Sequence, residues 1–546
     1  MSWLWLLAVT APLLAGALEM RWARSAAWAW LSVLPALLCV WLNPEPLVIS
    51  ILWPGAQWGL EDPLGRAWLG FTAALWGCAS GFAYYDPVLR EHVRRFWSLW
   101  SVALSGNLLL IVSLDAAGFY VGFSMMSLAA YALVAHLAGP GPRQAGRLYL
   151  QLAVLGEMLV FAGMLMRIDA AGGSLLLADL QDAPISHLGT ALLVIGFGIK
   201  AGFWPLHVWL PMAHPAAPPA ASAVLSGAML KAGILGIWRF LPLDQPVTSD
   251  QASLVLFGLG LITAFYGVVF GLLQRSAKSV LAYSSISQMG YLLIIIAVAW
   301  NAPGSQTAAV SLLALYAVHH GVTKGALFMG AGLAHQRRLG PLYVALVLIA
   351  ALSLAGAPLT SGGAVKTQLK SLLADSIWAG WTVVLTLGSV GTALLAARAI
   401  WLMLREQPDH GTIHPVQALF WAPLCLAPVL LPWAWPELRE ALLYSLGWAY
   451  GWSMLWPIGL ACLLLAGATR LGAGGRFAIR LPEPSRAMSL RLKRVMHRPP
   501  GVPRRRWKPD LRFIERRLNR QLSGEPVIWS SWLILALLLV GWTFGS

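Results

Sequence analysis

The chain has 546 residues, of which 58% are hydrophobic and only 11% charged, with a mean hydropathy of +0.69. That balance excludes a soluble globular protein and places the chain in a bilayer. The formal charge of +16 is not a nucleic-acid signature: between Arg470 and Arg520 sixteen Lys and Arg stand against three acids, a local balance of +13 with no aromatic interleaving or recognition module, so nucleic acid is not expected as a partner.

A spanning helix needs roughly 20 mostly apolar residues, and segments of that kind follow one another from Trp3 to Ala466, with one more after Ile528. The expected fold is therefore all-α, a polytopic membrane protein of about 14–16 transmembrane helices. Met1–Leu18 reads as a retained first helix, because its start lacks positive charge and no small-residue cleavage site follows. Residues 1–96 form the N-terminal helices, 97–405 a central core, 406–467 the C-terminal helices, 468–527 a basic loop and 528–546 a final span.

The loops alternate in sign. Arg21 and Arg24, Arg90, Arg94 and Arg95, Arg143 and Arg147, Arg275 and Lys278, and Arg337 and Arg338 fall on one side; Glu45, Glu61 and Asp62, Asp169, Asp179 and Asp182, Asp244 and Asp250, and Glu437 and Glu440 fall on the other. The positive-inside tendency makes the first set cytoplasmic in a bacterial inner membrane and both termini external. That count requires the span around Gln417–Trp433, with its three prolines, to cross.

Charged side chains at the bilayer centre cost roughly 2.5–3.5 kcal/mol each, so each one needs an explanation. Glu157 is a lone acid in an apolar helix. Lys200 ends Phe197-Gly198-Ile199-Lys200 and is followed by Gly202 and Pro205, so its helix is broken in mid-span. Lys231 lies among small residues in Ser226–Gly233, suited to close helix packing. His319, His320 and Lys324 fall within about one turn, His320 and Lys324 on one face. Lys366 follows Gly356-Ala357-Pro358-Leu359-Thr360-Ser361-Gly362-Gly363, a second helix break. Single residues of this kind often snorkel or fix helix packing. Two lysines beside Pro/Gly breaks, far apart in sequence, instead point to two inverted repeats, each with a discontinuous helix. A lysine in low dielectric holds its proton weakly and histidine needs little tuning, so the set suits a proton relay.

After the break, the basic loop holds Leu511, Ile514, Leu518 and Leu522 at helical spacing with Arg512, Arg516, Arg517 and Arg520 at the other positions. Pro509–Leu522 is thus expected to be an amphipathic helix on anionic lipid. The four cysteines, Cys39, Cys78, Cys425 and Cys462, are scattered, and no nucleotide, flavin or metal motif appears, so no cofactor or metal is expected and any redox chemistry lies in other chains.

At these residues the chain resembles the antiporter-like subunits of respiratory complex I, membrane-bound hydrogenases of the formate-hydrogenlyase type and multi-subunit Na+/H+ antiporters. Phe197–Lys200 and Pro205-Leu206-His207-Val208-Trp209-Leu210-Pro211-Met212-Ala213-His214 look like that family's seventh-helix lysine and following loop, and Ser226–Gly236 like its eighth helix. Lys278-Ser279-Val280-Leu281-Ala282-Tyr283-Ser284-Ser285-Ile286-Ser287-Gln288-Met289-Gly290 is similar to the opening of its tenth helix, His320–Phe328 to its eleventh, and Lys366 stands where its twelfth carries a lysine or glutamate. The resemblance covers roughly residues 60–405 and implies a relay of Glu157, Lys200, His214, Lys231, Lys278, His319, His320, Lys324 and Lys366.

One departure stands out. Where the family's fifth helix carries a glutamate paired with the seventh-helix lysine, Phe119–Leu128 has Ser124. Glu157, one helix on, is the expected substitute. The resemblance implies a non-catalytic, proton-translocating subunit coupled to partners of one of three kinds: redox subunits, antiporter subunits, or a soluble zinc-dependent protein that turns proton influx into bicarbonate accumulation. The loss at Ser124 keeps that inorganic-carbon role, and an inactive scaffold, as alternatives.

Overall fold

Long apolar stretches punctuated by a polar cap and a small residue become helices here, because a bilayer leaves backbone groups no partner but each other. The computed structural model describes residues 1–21, 25–89, 92–137, 139–243, 250–409, 411–435, 439, 443 and 447–470. The basic loop, its amphipathic segment and the final span lie outside the described residues.

In chain order the helices are α1 (Leu4–Arg21), α2 (Leu34–Leu42), α3 (Pro63–Tyr84), α4 (Val93–Val112), α5 (Ala116–Val134), α6 (Pro140–Ala170), α7 (Leu177–Asp182), α8 (His187–Ala201), α9 (Leu210–Ala216), α10 (Pro219–Val224), α11 (Lys231–Phe240) and α12 (Asp250–Leu272). They continue with α13 (Ala277–Asn301), α14 (Gln306–Gln336), α15 (Pro341–Ala355), α16 (Ser361–Ala374), α17 (Thr382–Leu404), α18 (Pro415–Ala434) and α19 (Trp448–Arg470). Several start on one device, an oxygen that accepts from the backbone N–H three residues on: Asp62 from Gly65, Asp115 from Gly118, Ser186 from Gly189, Thr360 from Gly363.

Among the described residues nine spans are long and apolar enough to cross a membrane, and four more are shorter but apolar. α3 and α14 also run from end to end. At one end Asp62 begins α3 and Gln306, opening α14, donates to the Leu243 carbonyl; at the other Asp86 follows α3 and accepts from Gln336 at the close of α14. The protein is a multi-pass all-α membrane bundle. The expected span with three prolines is present as α18, with Pro423, Pro428 and Pro432 inside it.

Among the described residues, the loops gather at two ends, Asp62 and α7 at one and Lys278 and Gln336 at the other. At the acidic end a hairpin, β1 (Leu47–Val48) and β2 (Gln57–Trp58), sits against Asp115, whose carboxylate accepts from Trp53 Nε1 (2.8 Å) and the Gln57 amide (3.1 Å). Arg239, closing α11, is buried there and donates to the carbonyls of Leu110 (3.1 Å) and Ser113 (3.2 Å), with Asp62 at 3.9 Å. The basic end gathers Asp86, Lys278, Gln336 and the segment after α17.

Within the bundle one plan occurs twice. α4 crosses α5 where Gly106 meets Gly122, and α12 crosses α13 where Gly260 meets Gly290: a Cβ on Gly122 would lie 2.5 Å from the Leu110 amide nitrogen, and one on Gly290 2.5 Å from the Gly260 carbonyl oxygen. Only glycine permits backbones so near. Each pair is followed by a helix of 31 residues, α6 or α14. Then, after the short α7 in the first unit and directly in the second, comes a helix broken at a left-handed glycine, Gly202 (φ +74°) between α8 and α9 and Gly356 (φ +88°) between α15 and α16.

Candidate functional site

The two breaks position two lysines differently. Lys200 occupies the last turn before Gly202 and is buried; its ammonium donates to Ser127 Oγ and Tyr149 OH, both at 3.0 Å, and lies 5.8 and 5.6 Å from the Phe123 and Tyr149 ring centres. Ser127, Tyr149, Gly156, Trp209 and Lys200 line a cavity on the scale of one water molecule. Glu157 is buried on α6, with the Ser124 and Ser127 hydroxyls beside its carboxyl and the Lys200 ammonium within electrostatic reach. Lys366 sits after its break and reaches back across it, donating to the Ala355 carbonyl at 2.5 Å.

Lys231 is fully buried and opens α11 directly after a π-helical turn, Leu225–Met229, in which Leu230 N–H bonds the Leu225 carbonyl five residues back. That widened turn leaves carbonyls to spare, and the ammonium takes two: Ser226 at 3.1 Å and Gly227 at 2.5 Å. Lys324 donates to the Leu281 carbonyl at 2.9 Å, and Lys278 to the Ala217 carbonyl at 2.8 Å, where α9 ends. His319 Nδ1 shares a hydrogen bond with Ser361 Oγ at 2.8 Å, which ties α14 to the start of α16. Both ring nitrogens of His214 and of His320 are buried with no hydrogen-bond partner; the His214 ring stacks on Phe328 at 4.4 Å.

These groups interact in series. Lys278 and Lys324 lie within electrostatic reach of His214, Lys231 of Lys324, Lys231 and Lys324 of His320, and Lys231 and Lys366 of His319. Glu157 and Lys200 form a separate pair. The structure therefore brings the nine residues singled out by the sequence into a row of seven and a pair. It adds Ser127 and Tyr149 as direct partners of Lys200, which no local sequence pattern connects to it. It also adds the π turn before Lys231, which the small residues of Ser226–Gly233 do not announce. Among the described residues no three His, Cys, Asp or Glu side chains come together to hold a metal.

Residues 113–395 match the sequence profile of the NADH:quinone oxidoreductase/Mrp antiporter transmembrane family. The chain belongs to that family. It is 30% identical over 400 residues to NADH-quinone oxidoreductase subunit N of Desulforudis audaxviator, covering 67% of this chain and 77% of that one. It is 32% identical over 243 residues to hydrogenase-4 component B of Escherichia coli, where the match covers 42% of this chain but only 36% of the relative. Among solved structures, the Mrp complex of Dietzia contains a chain of the same fold, with a TM-score of 0.76 at 21% identity, covering 98% of this chain and 62% of that one. A chain of the archaeal membrane-bound sulfane sulfur reductase has a TM-score of 0.68 at 19% identity, covering 83% and 99%. The family's profile begins at the serine after α4 and ends within α17, so it holds Glu157 and every buried lysine and histidine named above.

Proposed function

We propose that this chain is the proton-translocating membrane subunit of a multi-subunit complex in a bacterial inner membrane, moving protons along its buried Lys/His/Glu relay and coupled to a partner subunit. The observation that carries this reading is the row from Lys278 through His214, Lys324, His320, Lys231 and His319 to Lys366, each buried or half-buried and each interacting with the next. Like charges such as Lys231 and Lys324 resist being held together, so a proton arriving on one favours departure from the other. One elementary charge crossing the membrane is worth about 2.3 kcal/mol per 100 mV, a force that a few such couplings can use or store. Glu157 takes the part of the missing fifth-helix acid: it lies beside Ser124, the position that lacks it, and acts on Lys200.

The relatives named above are, by their names, components of a quinone oxidoreductase, a hydrogenase and an Mrp complex, which supports partners of the redox or antiporter kind. The test is purification from native membranes with identification of every co-purifying protein, followed by proton-transport assays on Lys231→Ala and Lys366→Ala. Both variants should assemble and lose coupled transport. Full transport in both would leave only a scaffold, and a soluble zinc protein as sole partner would instead assign the chain to inorganic-carbon uptake.

A further inference from the structure

A relay needs a group that trades protons with water, and the row ends at Lys278 without one. Lys278 is half-buried, with its ammonium on the Ala217 carbonyl. The next charge is Asp86, in the turn after α3, only 2% exposed. Its Oδ1 accepts from the Val88 amide (3.1 Å) and Gln336 Nε2 (3.2 Å), while Oδ2 is buried with no hydrogen-bond partner. A buried carboxylate normally satisfies both oxygens, so a half-satisfied one is unusual. A simple structural turn-capping acid would explain Oδ1 but leaves Oδ2 and the nearby lysine unexplained.

Solvent lies one step further out. The segment after α17 folds over the end of α14, where the amides of Asp409 and Gly411 donate to the carbonyls of His335 and Gln336 at 3.0 and 2.9 Å. It carries Glu406 and Asp409, which flank His335 at 3.3 Å on either ring nitrogen; His335 is 52% exposed and Asp409 75%. Titratable groups thus run from exposed (His335, Glu406, Asp409) through buried Asp86 to Lys278 and the interior row. The charged and titratable groups facing Asp86 are Lys278 from α13, His335 from α14 and, stacked on the neighbouring Tyr85 at 4.1 Å, His414 from the cap of α18.

We propose that Asp86 is the proton-exchanging residue between solvent and Lys278 at the basic end of the relay, with Gln336 holding its carboxyl in place. In the exchange step the Asp86 O–H bond breaks and, with a water carrying the proton across, an N–H bond forms on a neutral Lys278 amine, giving carboxylate and ammonium; the carboxylate then regains a proton from water at the His335–Glu406 pair. Reversal releases a proton outward. Burial holds the Asp86 carboxyl up at about 6, against the opposing effects of the Val88 amide, Lys278, Gln336 and His335, so both of its forms are within reach of ordinary cytoplasmic pH.

This inference rests on the relay reading, and its test separates the two. The full-length chain is reconstituted in vesicles with an entrapped pH dye, and proton flux is driven by an imposed potassium diffusion potential. Asp86→Asn should lower the flux by about a hundredfold, as Lys324→Ala should, and Asp86→Glu should restore part of it. Full flux in Asp86→Asn with none in Lys324→Ala would overturn the role of Asp86 and leave the relay standing; full flux in both would overturn the relay. Infrared titration of the same protein gives a readout independent of flux. A protonated-carboxyl band titrating near pH 6 should vanish in Asp86→Asn and move to higher pH in Gln336→Leu, which keeps the carboxyl but removes a bond favouring its charged form. A band unmoved by either change would refute the assignment.

Discussion

Replacing Asp86 by Asn should make the protein more stable, and by an amount that depends on pH. Burial raises the carboxyl from 3.8 to about 6 in the folded chain. An acid with a raised folded pKa binds its proton more tightly in the native state, so folding loses stability as pH climbs from the unfolded value through the folded one. At 1.36 kcal/mol per pK unit, ionisation costs the fold about 1.6 kcal/mol near pH 5 and about 3 kcal/mol near pH 8, where the penalty has levelled off. Asn keeps an oxygen for the Val88 amide and Gln336 while removing the charge. Heating the purified protein in detergent and measuring the fraction that remains monodisperse should therefore show an advantage for Asp86→Asn that roughly doubles between about pH 5 and about pH 8. An advantage independent of pH, or none near pH 8, would refute the reasoning. A gain in stability paired with a loss of flux is what a functional group held at a cost to the fold predicts.

Two further outcomes follow from the geometry. Glu157→Gln should lower flux, and adding Ser124→Glu to it should recover part of the loss by returning an acid to the fifth helix beside Lys200; full flux in Glu157→Gln alone would show that Lys200 works without this partner. Gly122→Val, whose side chain would start 2.5 Å from the Leu110 amide nitrogen, should destabilise by about 1–3 kcal/mol or prevent assembly, whereas Gly258→Ala, with nothing within 4 Å, should be silent; equal yields of monodisperse protein from the two variants would contradict the α4–α5 crossing.

The bundle was largely legible from hydropathy and charge, because a bilayer punishes the same features everywhere along the chain. Runs of 20 apolar residues and breaks marked by Gly202 and Gly356 survive into the fold, and the loops holding Asp62 and Lys278 fall at opposite ends. The unusual location of Lys200, Lys231, Lys324 and Lys366 was legible for the same reason. Their partners were not. Ser127 and Tyr149 belong to helices 51–73 positions away from Lys200 in the chain, and no local pattern connects them. The π turn before Lys231 depends on how α10 and the turn itself pack against α14, a tertiary matter. Asp86 was passed over because it sits at a helix end among arginines, where an acid reads as an ordinary surface charge until its burial is seen.

The way the buried lysines are tethered bears on how such a chain can drift in sequence. Lys231, Lys278, Lys324 and Lys366 all end on main-chain carbonyls, and a carbonyl is present whatever residue supplies it. No side-chain substitution deletes those anchors, so a saturation scan should find each of these lysines intolerant while Gly227, Ala217, Leu281 and Ala355 answer only for the shape of the backbone. Lys200 is different: both its hydrogen-bond acceptors are side chains, Ser127 and Tyr149, and each offers a separate single-nucleotide route to failure. The contacts of Lys200 can thereby be removed by changing a side chain, which is not so for the four lysines held by main-chain carbonyls.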